Sequence, residues 1–279
     1  MEQKTIAVVG LGLIGGSMAL ALRRRTDHRV LGLARNPAVC DAALRQDAIH
    51  EAVEPADLAR ADVVLLALPP EATVDYLRQN GRCLRPGAVV SDVCGVKQAI
   101  VAACEPLCAG YGARFVGAHP MAGKEHSGFG NADADLFVGA SYILTPTAQT
   151  DPDALETMRA LARQMGAARL TETDPATHDR IIAFTSQLPH VLAGAYVTSP
   201  TCPQYRGFSA GSYRDVSRVA TVDEHLWSRL FLLNADPLCA ELDGLIARLQ
   251  DYRDAIVAGD QSRLEAILTA GRLRKEENP

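Results

Sequence analysis

The sequence predicts an α/β protein: a doubly wound, mostly parallel sheet with helices on both faces, followed by an all-helical domain. Three observations carry this. Continuous apolar runs alternate with amphipathic helical stretches through the first half. A glycine-rich turn joins the first run to the first helix. From Pro175 onward there is no convincing strand. A length of 279 residues suits two domains. With 48% hydrophobic and 22% charged residues, the chain can bury a sizeable core and extended disorder is not expected.

Taken in order, Thr5–Gly10 is a buried strand. Leu13–Arg25 is a helix whose basic end suits the negative pole of the helix dipole. Arg29–Ala34 reads as a strand, Ala38–Arg45 as a helix, Asp62–Leu68 as a strand and Glu71–Asn80 as a helix. Further strands fall at Ala88–Ser91, Arg114–Val116, Tyr142–Leu144 and Arg169–Thr171, separated by helices near Val96–Leu107 and Asp153–Met165. The later helical segments are Ala176–Thr198, Val222–Asn234, Pro237–Ala258 and Gln261–Arg274. Between the first two, the Gly/Ser-rich stretch Arg206–Ala220 cannot be a regular helix throughout. The expected domains are therefore residues 1–172 and 173–279.

Composition excludes several classes. With 28 basic against 33 acidic residues and a net charge of −5, a general nucleic-acid binder is not expected. No apolar run approaches the ~20 residues of a membrane span, and the N-terminus lacks the basic region and cleavage site of a secretory signal. A cytoplasmic protein is expected. The seven cysteines show no paired C-x-x-C spacing. Cys104 and Cys108 stand one helical turn apart without further ligands, so no metal is expected and the thiols read as small buried groups.

Gly10-Leu11-Gly12-Leu13-Ile14-Gly15 matches G-x-G-x-x-G where a strand ends and a helix begins, the context of a Rossmann-type dinucleotide turn. The first glycine allows the turn, the second lets a pyrophosphate approach, and the third lets helix and strand pack, with free N–H groups at the helix start. The second strand ends in Ala34-Arg35-Asn36, without the acidic residue that usually binds the ribose of NAD. Arg35 is suited to pair a 2′-phosphate, which favours NADP. The alternative is a solvated Arg35, with NAD held by main-chain and hydroxyl contacts. The expected cofactor-binding set is Gly10, Gly12, Leu13, Ile14, Gly15, Ala34, Arg35, Leu68, Pro69 and Gly95.

Gly117–Gly123 (G-A-H-P-M-A-G) follows a strand and so falls at the carboxyl edge of the sheet, where ligands bind. His119, pinned before Pro120, is positioned to take a hydroxyl proton as hydride leaves the same carbon. Thr185–His190 (T-S-Q-L-P-H) lies inside a helical segment that Pro189 is predicted to kink, freeing backbone groups near His190. The other reading of His190 is a core histidine satisfied at the kink. In Gly207–Arg218 the arginines suit carboxylate binding and the glycines close approach. Ion pairs of Arg214 and Arg218 with Asp215, Asp223 or Glu224 are the other reading.

These residues together resemble the prephenate/arogenate dehydrogenase family of tyrosine biosynthesis, most of all prephenate dehydrogenases without an ACT domain. The resemblance rests on Gly10–Ser17, S-D-V-C-G-V-K at Ser91–Lys97, Gly117–Gly123, D-L-F at Asp135–Phe137, S-Q-L-P-H at Ser186–His190 and S-Y-R-D-V-S-R-V-A at Ser212–Ala220. It spans almost the whole chain in order. It implies NAD(P)-dependent oxidative decarboxylation of prephenate to 4-hydroxyphenylpyruvate, with arogenate dehydrogenase or a non-catalytic NADP(H)-binding protein as alternatives. His119 is then the catalytic histidine and Arg218 the carboxylate clamp. His190, Lys124, Gly211, Ser186, Trp227 and Arg214 complete the substrate-binding set. Glu125 and Asp215 are expected to anchor Arg218 and gate the site. The resemblance also implies a homodimer through the helical domain.

Two departures from the family pattern stand out, Gly95 in place of a common serine and Lys124 where threonine is common, and no ACT-type regulatory domain is expected after the helices. Arg35, Lys124, Arg214 and Arg218 are expected to gather in one locally basic cleft.

Overall fold

Strands covered on both faces need apolar side chains pointing both ways, and the runs in the first half supply them. The computed structural model describes residues 2–124, 126–209 and 211–278. Its first part runs β1 (Thr5–Val9), α1 (Leu13–Arg25), β2 (Arg29–Leu33), α2 (Pro37–Arg45), β3 (Glu51–Ala52), β4 (Val63–Leu66) and α3 (Pro70–Asn80). It continues with β5 (Val89–Asp92), α4 (Gln98–Gly110), β6 (Arg114–Pro120), β7 (Ser141–Thr145), α5 (Pro152–Gln164) and β8 (Arg169–Glu172). The eight strands form one sheet in the order β3-β2-β1-β4-β5-β6-β7-β8. All pairs are parallel except β6 with β7.

Alternation along the strands separates two cores. Ile6, Val8, Val63 and Leu65 meet Met18 and Leu22 of α1 and Met158 and Leu161 of α5 on one face. Ala7, Val9, Val64 and Leu66 meet Leu77 of α3 and Ile100, Cys104 and Cys108 of α4 on the other. Side-chain caps set several helix starts: Asn36 for α2, Asp151 for α5 and Asp174 for the first helix of the second part.

That second part is helical: α6 (Pro175–Ile182), a π-helical turn at Ala183–Gln187, α7 (Leu188–Val197), α8 (Gly211–Ser217), α9 (Glu224–Leu233), α10 (Ala235–Ala258) and α11 (Gln261–Glu277). Its small core joins Ala183, Leu188 and Leu238. Leu230 and Leu233 of α9 pack onto the α3/α4 side of the sheet, so the helices are docked on the first part.

Four features differ from the sequence reading. β3 has only two residues, too short a run to carry a periodic signal. β6 does not stop at Val116 but continues through His119 to Pro120, because Gly117–Pro120 pair with β7. The 176–198 segment is not a kinked α-helix. A π-turn precedes Pro189, which then sits in the first turn of α7, where its missing N–H costs nothing. The thiols are not uniformly buried either: Cys40, Cys94, Cys104 and Cys108 are, whereas Cys83 and Cys202 are half-buried and Cys239 is exposed. All seven are free. No helix among the described residues is long and apolar enough to cross a membrane.

The junction of β1 and α1 yields a stability test. A Cβ on Gly15 would stand 1.9 Å from the Gly10 carbonyl oxygen, whereas one on Gly12 would meet no described atom within 4 Å. Gly15→Ala should lower Tm by at least about 3 °C through overpacking, and Gly12→Ala should leave it nearly unchanged, both read by thermal unfolding in circular dichroism. Equal melting temperatures would contradict this packing.

Candidate active site

Beyond Val116 the β5–β6 ladder ends, and a cleft of about 1020 Å³ opens at the carboxyl edge of the sheet. Gly12, Leu13 and Ile14 line it from the glycine turn, Leu68 and Pro69 from the end of β4, and Cys94 and Gly95 from the loop after β5. His119 enters from β6, and Lys124, His126 and Ser127 from the loop that follows. The helical part closes the other side with His190 of α7, Arg218, Asp223 and the α9 residues Leu226, Trp227 and Leu230.

The glycine turn is built to admit a ligand. Gly10 takes φ +93°, and a Cβ there would stand 2.4 Å from the Ala67 carbonyl oxygen. The helix start at Gly12 carries no side-chain cap, so its N–H groups are left to face the cleft. The space beside Gly12 is the kind of cradle a pyrophosphate fills. Gly10 and Gly15 shape the turn from beneath, outside the cleft lining.

Where the ladder ends, side chains take over the pairing of β5 and β6. Asp92 Oδ1 accepts the Ala118 N–H at 3.2 Å, and Lys97 Nζ donates to the Ala118 carbonyl at 2.6 Å. Lys97 and Asp92 also form an ion pair with both side chains fully buried. Asp92 Oδ2 further accepts the Cys94 N–H at 2.8 Å. Two buried charges are thus matched to each other and to backbone dipoles, the condition under which burial is tolerated. The result fixes the strand segment immediately before His119.

His119 is tied on its other side. Its Nδ1 lies 3.0 Å from Nε2 of His178, with the rings edge to face at 62°. His178 Nδ1 lies 2.7 Å from Asp179 Oδ1, and Asp179 accepts the backbone N–H groups of Lys97 at 2.7 Å and Gln98 at 2.8 Å. Burial, then the neighbouring His178 and the Lys97 ammonium, hold the His119 imidazole well below its ordinary value of 6.5, so it is neutral at pH 7. Nε2 of His119 is the atom toward Gly95, 3.8 Å from where a Cβ of that residue would stand.

His190 presents a second ring. Its Nδ1 donates to the Ser186 carbonyl at 2.8 Å, and it stacks on Trp227 with centroids 3.7 Å apart. Of the residues expected at the site, the fold brings His119, His190, Arg218, Lys124, Trp227, Gly12, Leu13, Ile14, Leu68, Pro69 and Gly95 to one cleft. Ser186 contributes through its carbonyl, behind His190. Gly211 and Arg214 lie on the exposed helix α8, and Arg214 sits 4.0 Å from Asp215 in a solvent-facing pair.

Ala34 and Arg35 stand at the end of β2, outside the lining, with Arg35 exposed. The expected cluster of four cations is thus a pair, Lys124 and Arg218, and Lys124 is already bound to Asp133 at 3.0 Å. Glu125, expected to anchor Arg218, lies outside the described residues. Lys97, Asp92, His178 and Asp179 were missed. The only sequence trace of the last two is an adjacent His-Asp pair on an otherwise ordinary helical face.

A family model described as "Prephenate dehydrogenase, nucleotide-binding domain" matches residues 18–171, and one described as "Prephenate dehydrogenase, dimerization domain" matches 174–270. The chain belongs to the prephenate dehydrogenase family. It is thus an oxidoreductase with a nucleotide-binding first part. It is 32% identical to prephenate dehydrogenase of Bacillus subtilis over 93% of this chain and 72% of that one. Among solved structures, Synechocystis arogenate dehydrogenase is 30% identical with a TM-score of 0.85, covering 99% of this chain and 100% of that one. Prephenate dehydrogenase of Aquifex aeolicus, in complex with hydroxyphenyl propionate and NAD+, is 27% identical with a TM-score of 0.89, covering 100% and 99%.

The buried ion pair gives a direct test. Lys97→Met strands the Asp92 carboxylate and should cost about 3–5 kcal/mol of stability, measured by urea unfolding. Lys97→Met combined with Asp92→Asn should cost less. A single variant as stable as the parent would show that the pair does not hold β6.

Proposed function

We propose that this chain catalyses the NAD(P)-dependent oxidative decarboxylation of prephenate to 4-hydroxyphenylpyruvate. The observation that carries the reading is the placement of neutral His119, across one cleft, from both the glycine turn and the Arg218/His190 wall. A nicotinamide dinucleotide held at Gly10–Gly15 supplies the hydride acceptor. His119 Nε2 accepts the proton of the ring hydroxyl as the carbinol carbon is oxidised. Loss of the ring carboxylate as carbon dioxide then aromatises the ring. Arg218 offers a bidentate donor to a substrate carboxylate. His190, stacked on Trp227, offers Nε2 to the side-chain end of the substrate. Lys124 serves as a further carboxylate contact by exchanging its partner Asp133.

NADP is the preferred dinucleotide in this reading. Exposed Arg35 stands at the end of β2 with no acidic residue beside it, and Asn36 is committed to capping α2. Oxidation of arogenate is the second reading, supported by the likeness to Synechocystis arogenate dehydrogenase along the whole chain. The division into residues 1–172 and 173–279 and a homodimer through the helices complete the proposal. Ile181, Phe184, Ile246, Leu249, Ile256 and Val257 supply an exposed apolar surface for such an interface. Seven free thiols suit a cytoplasmic location.

A spectrophotometric matrix of prephenate and arogenate against NAD and NADP tests the assignment. Reduced cofactor should appear fastest with prephenate and NADP, and none in any of the four combinations would leave a non-catalytic dinucleotide-binding protein. His119→Asn should lower kcat by on the order of 10²–10⁴. Arg218→Ala should mainly raise KM for the substrate, and an effect confined to dinucleotide affinity would refute the clamp.

A further inference from the structure

The cleft does not explain why two consecutive buried residues of the helical part, His178 and Asp179, are aimed at the back of His119. Each is only 1% exposed. Among the described residues no lysine or arginine pairs with Asp179. Its Oδ1 accepts both the Lys97 N–H at 2.7 Å and a proton from His178 at 2.7 Å, and its Oδ2 accepts the Gln98 N–H at 2.8 Å. Both carboxyl oxygens thus accept backbone N–H groups at the start of α4. Being acceptor-only, the carboxylate requires His178 to carry its proton on Nδ1.

In its neutral form, with the ring proton on Nδ1, His178 has a bare Nε2, which can only accept. The atom 3.0 Å away is Nδ1 of His119, which must therefore be the donor. His119, held neutral by burial beside His178 and Lys97, has one ring proton, and this places it on Nδ1. Nε2 is left bare on the Gly95 side of the cleft.

We propose that His178, locked by Asp179, is a positioning residue that fixes the tautomer and ring orientation of His119, so that His119 Nε2 is the proton-accepting atom. The proposal rests on the reading of His119 as the base. When His119 takes the substrate proton at Nε2, its Nδ1–H bond to His178 becomes charge-assisted, and the Asp179 carboxylate offsets the new imidazolium through the intervening ring. No proton has to leave His178 for this. Because His178 and Asp179 belong to α6, the helical part contributes to the chemistry from behind the His119 ring as well as to the cleft wall.

The test uses the full chain labelled with ¹⁵N-histidine, and long-range ¹H–¹⁵N spectra assigned by His119→Asn and His178→Leu. In the parent protein at neutral pH, His119 should show a protonated Nδ1 and a bare Nε2. A His119 with its proton on Nε2 would overturn the proposal without any assay. His178→Leu should shift His119 toward the Nε2–H tautomer and lower kcat by on the order of 10²–10⁴, the scale seen when the orienting group of a catalytic histidine is lost. Substrate KM and dinucleotide Kd should change less than about threefold.

His178→Gln, whose carbonyl oxygen takes the place of Nε2, should recover at least tenfold of the lost kcat. A folded His178→Leu protein with kcat within twofold of the parent, or one unimproved by His178→Gln, would refute positioning. Should His178→Leu fail to fold, the parent spectrum still decides. Parent enzyme without turnover on either substrate, but with the expected spectrum, would count against the proposed reaction and not against the positioning device.

Discussion

The Asp179 carboxylate at the start of α4 is the contact on which the arrangement depends. α4 begins without a side-chain cap of its own, and the two N–H groups that open it are satisfied by a residue some eighty positions later. One carboxylate therefore closes a helix of the sheet domain, docks the first helix of the second part and orients the ring behind His119. The carbonyl of Asp179 is held in turn by Asn234 Nδ2 at 2.9 Å, and the same amide donates to Gln187 Oε1 at 2.7 Å. Gln187 lies in the π-turn, so the irregular turn, α6 and the start of α10 are bound into one buried polar network.

This network explains why the cleft sits where it does. β6 pairs with β5 over Arg114–Val116 and with β7 over Gly117–Pro120. A strand that changes partners leaves backbone groups unpaired at the crossing, and the Lys97–Asp92 pair meets them. His119 thus lies on a strand fixed by a buried ion pair on one side and by His178 on the other. Rigid supports of this kind keep a proton acceptor in register with what enters the cleft.

Legibility in the sequence followed the range of the physics. The Gly10–Gly15 turn was readable because its demands are local: one positive φ, one close approach and one open position within six residues. His119 and His190 were readable through short segments whose glycines and prolines restrict the backbone. Arg35 and Arg214 were drawn into a common basic cleft on charge alone, and charge says nothing of direction; both face solvent. The extension of β6 was hidden because Gly117 and Pro120 are poor strand residues whose pairing is decided by β7. The π-turn and the roles of His178 and Asp179 were hidden for the same reason, since their partners lie in distant elements.

In the proposed reaction a neutral, rear-anchored His119 accepts the substrate proton. Protonation of His119 abolishes that role, so activity must fall as pH drops through its pKa, which burial and the neighbouring His178 and Lys97 hold well below 6.5. The most direct measurement is the pH profile of kcat/KM at saturating dinucleotide, for the parent and for His119→Asn. Because His126 and His190 also line the cleft, the variant serves as the control. The parent should show an acid limb with its midpoint below pH 6.5, and the residual activity of His119→Asn should show no such limb. A midpoint at or above 6.5, or the same limb in both proteins, would contradict this role for His119.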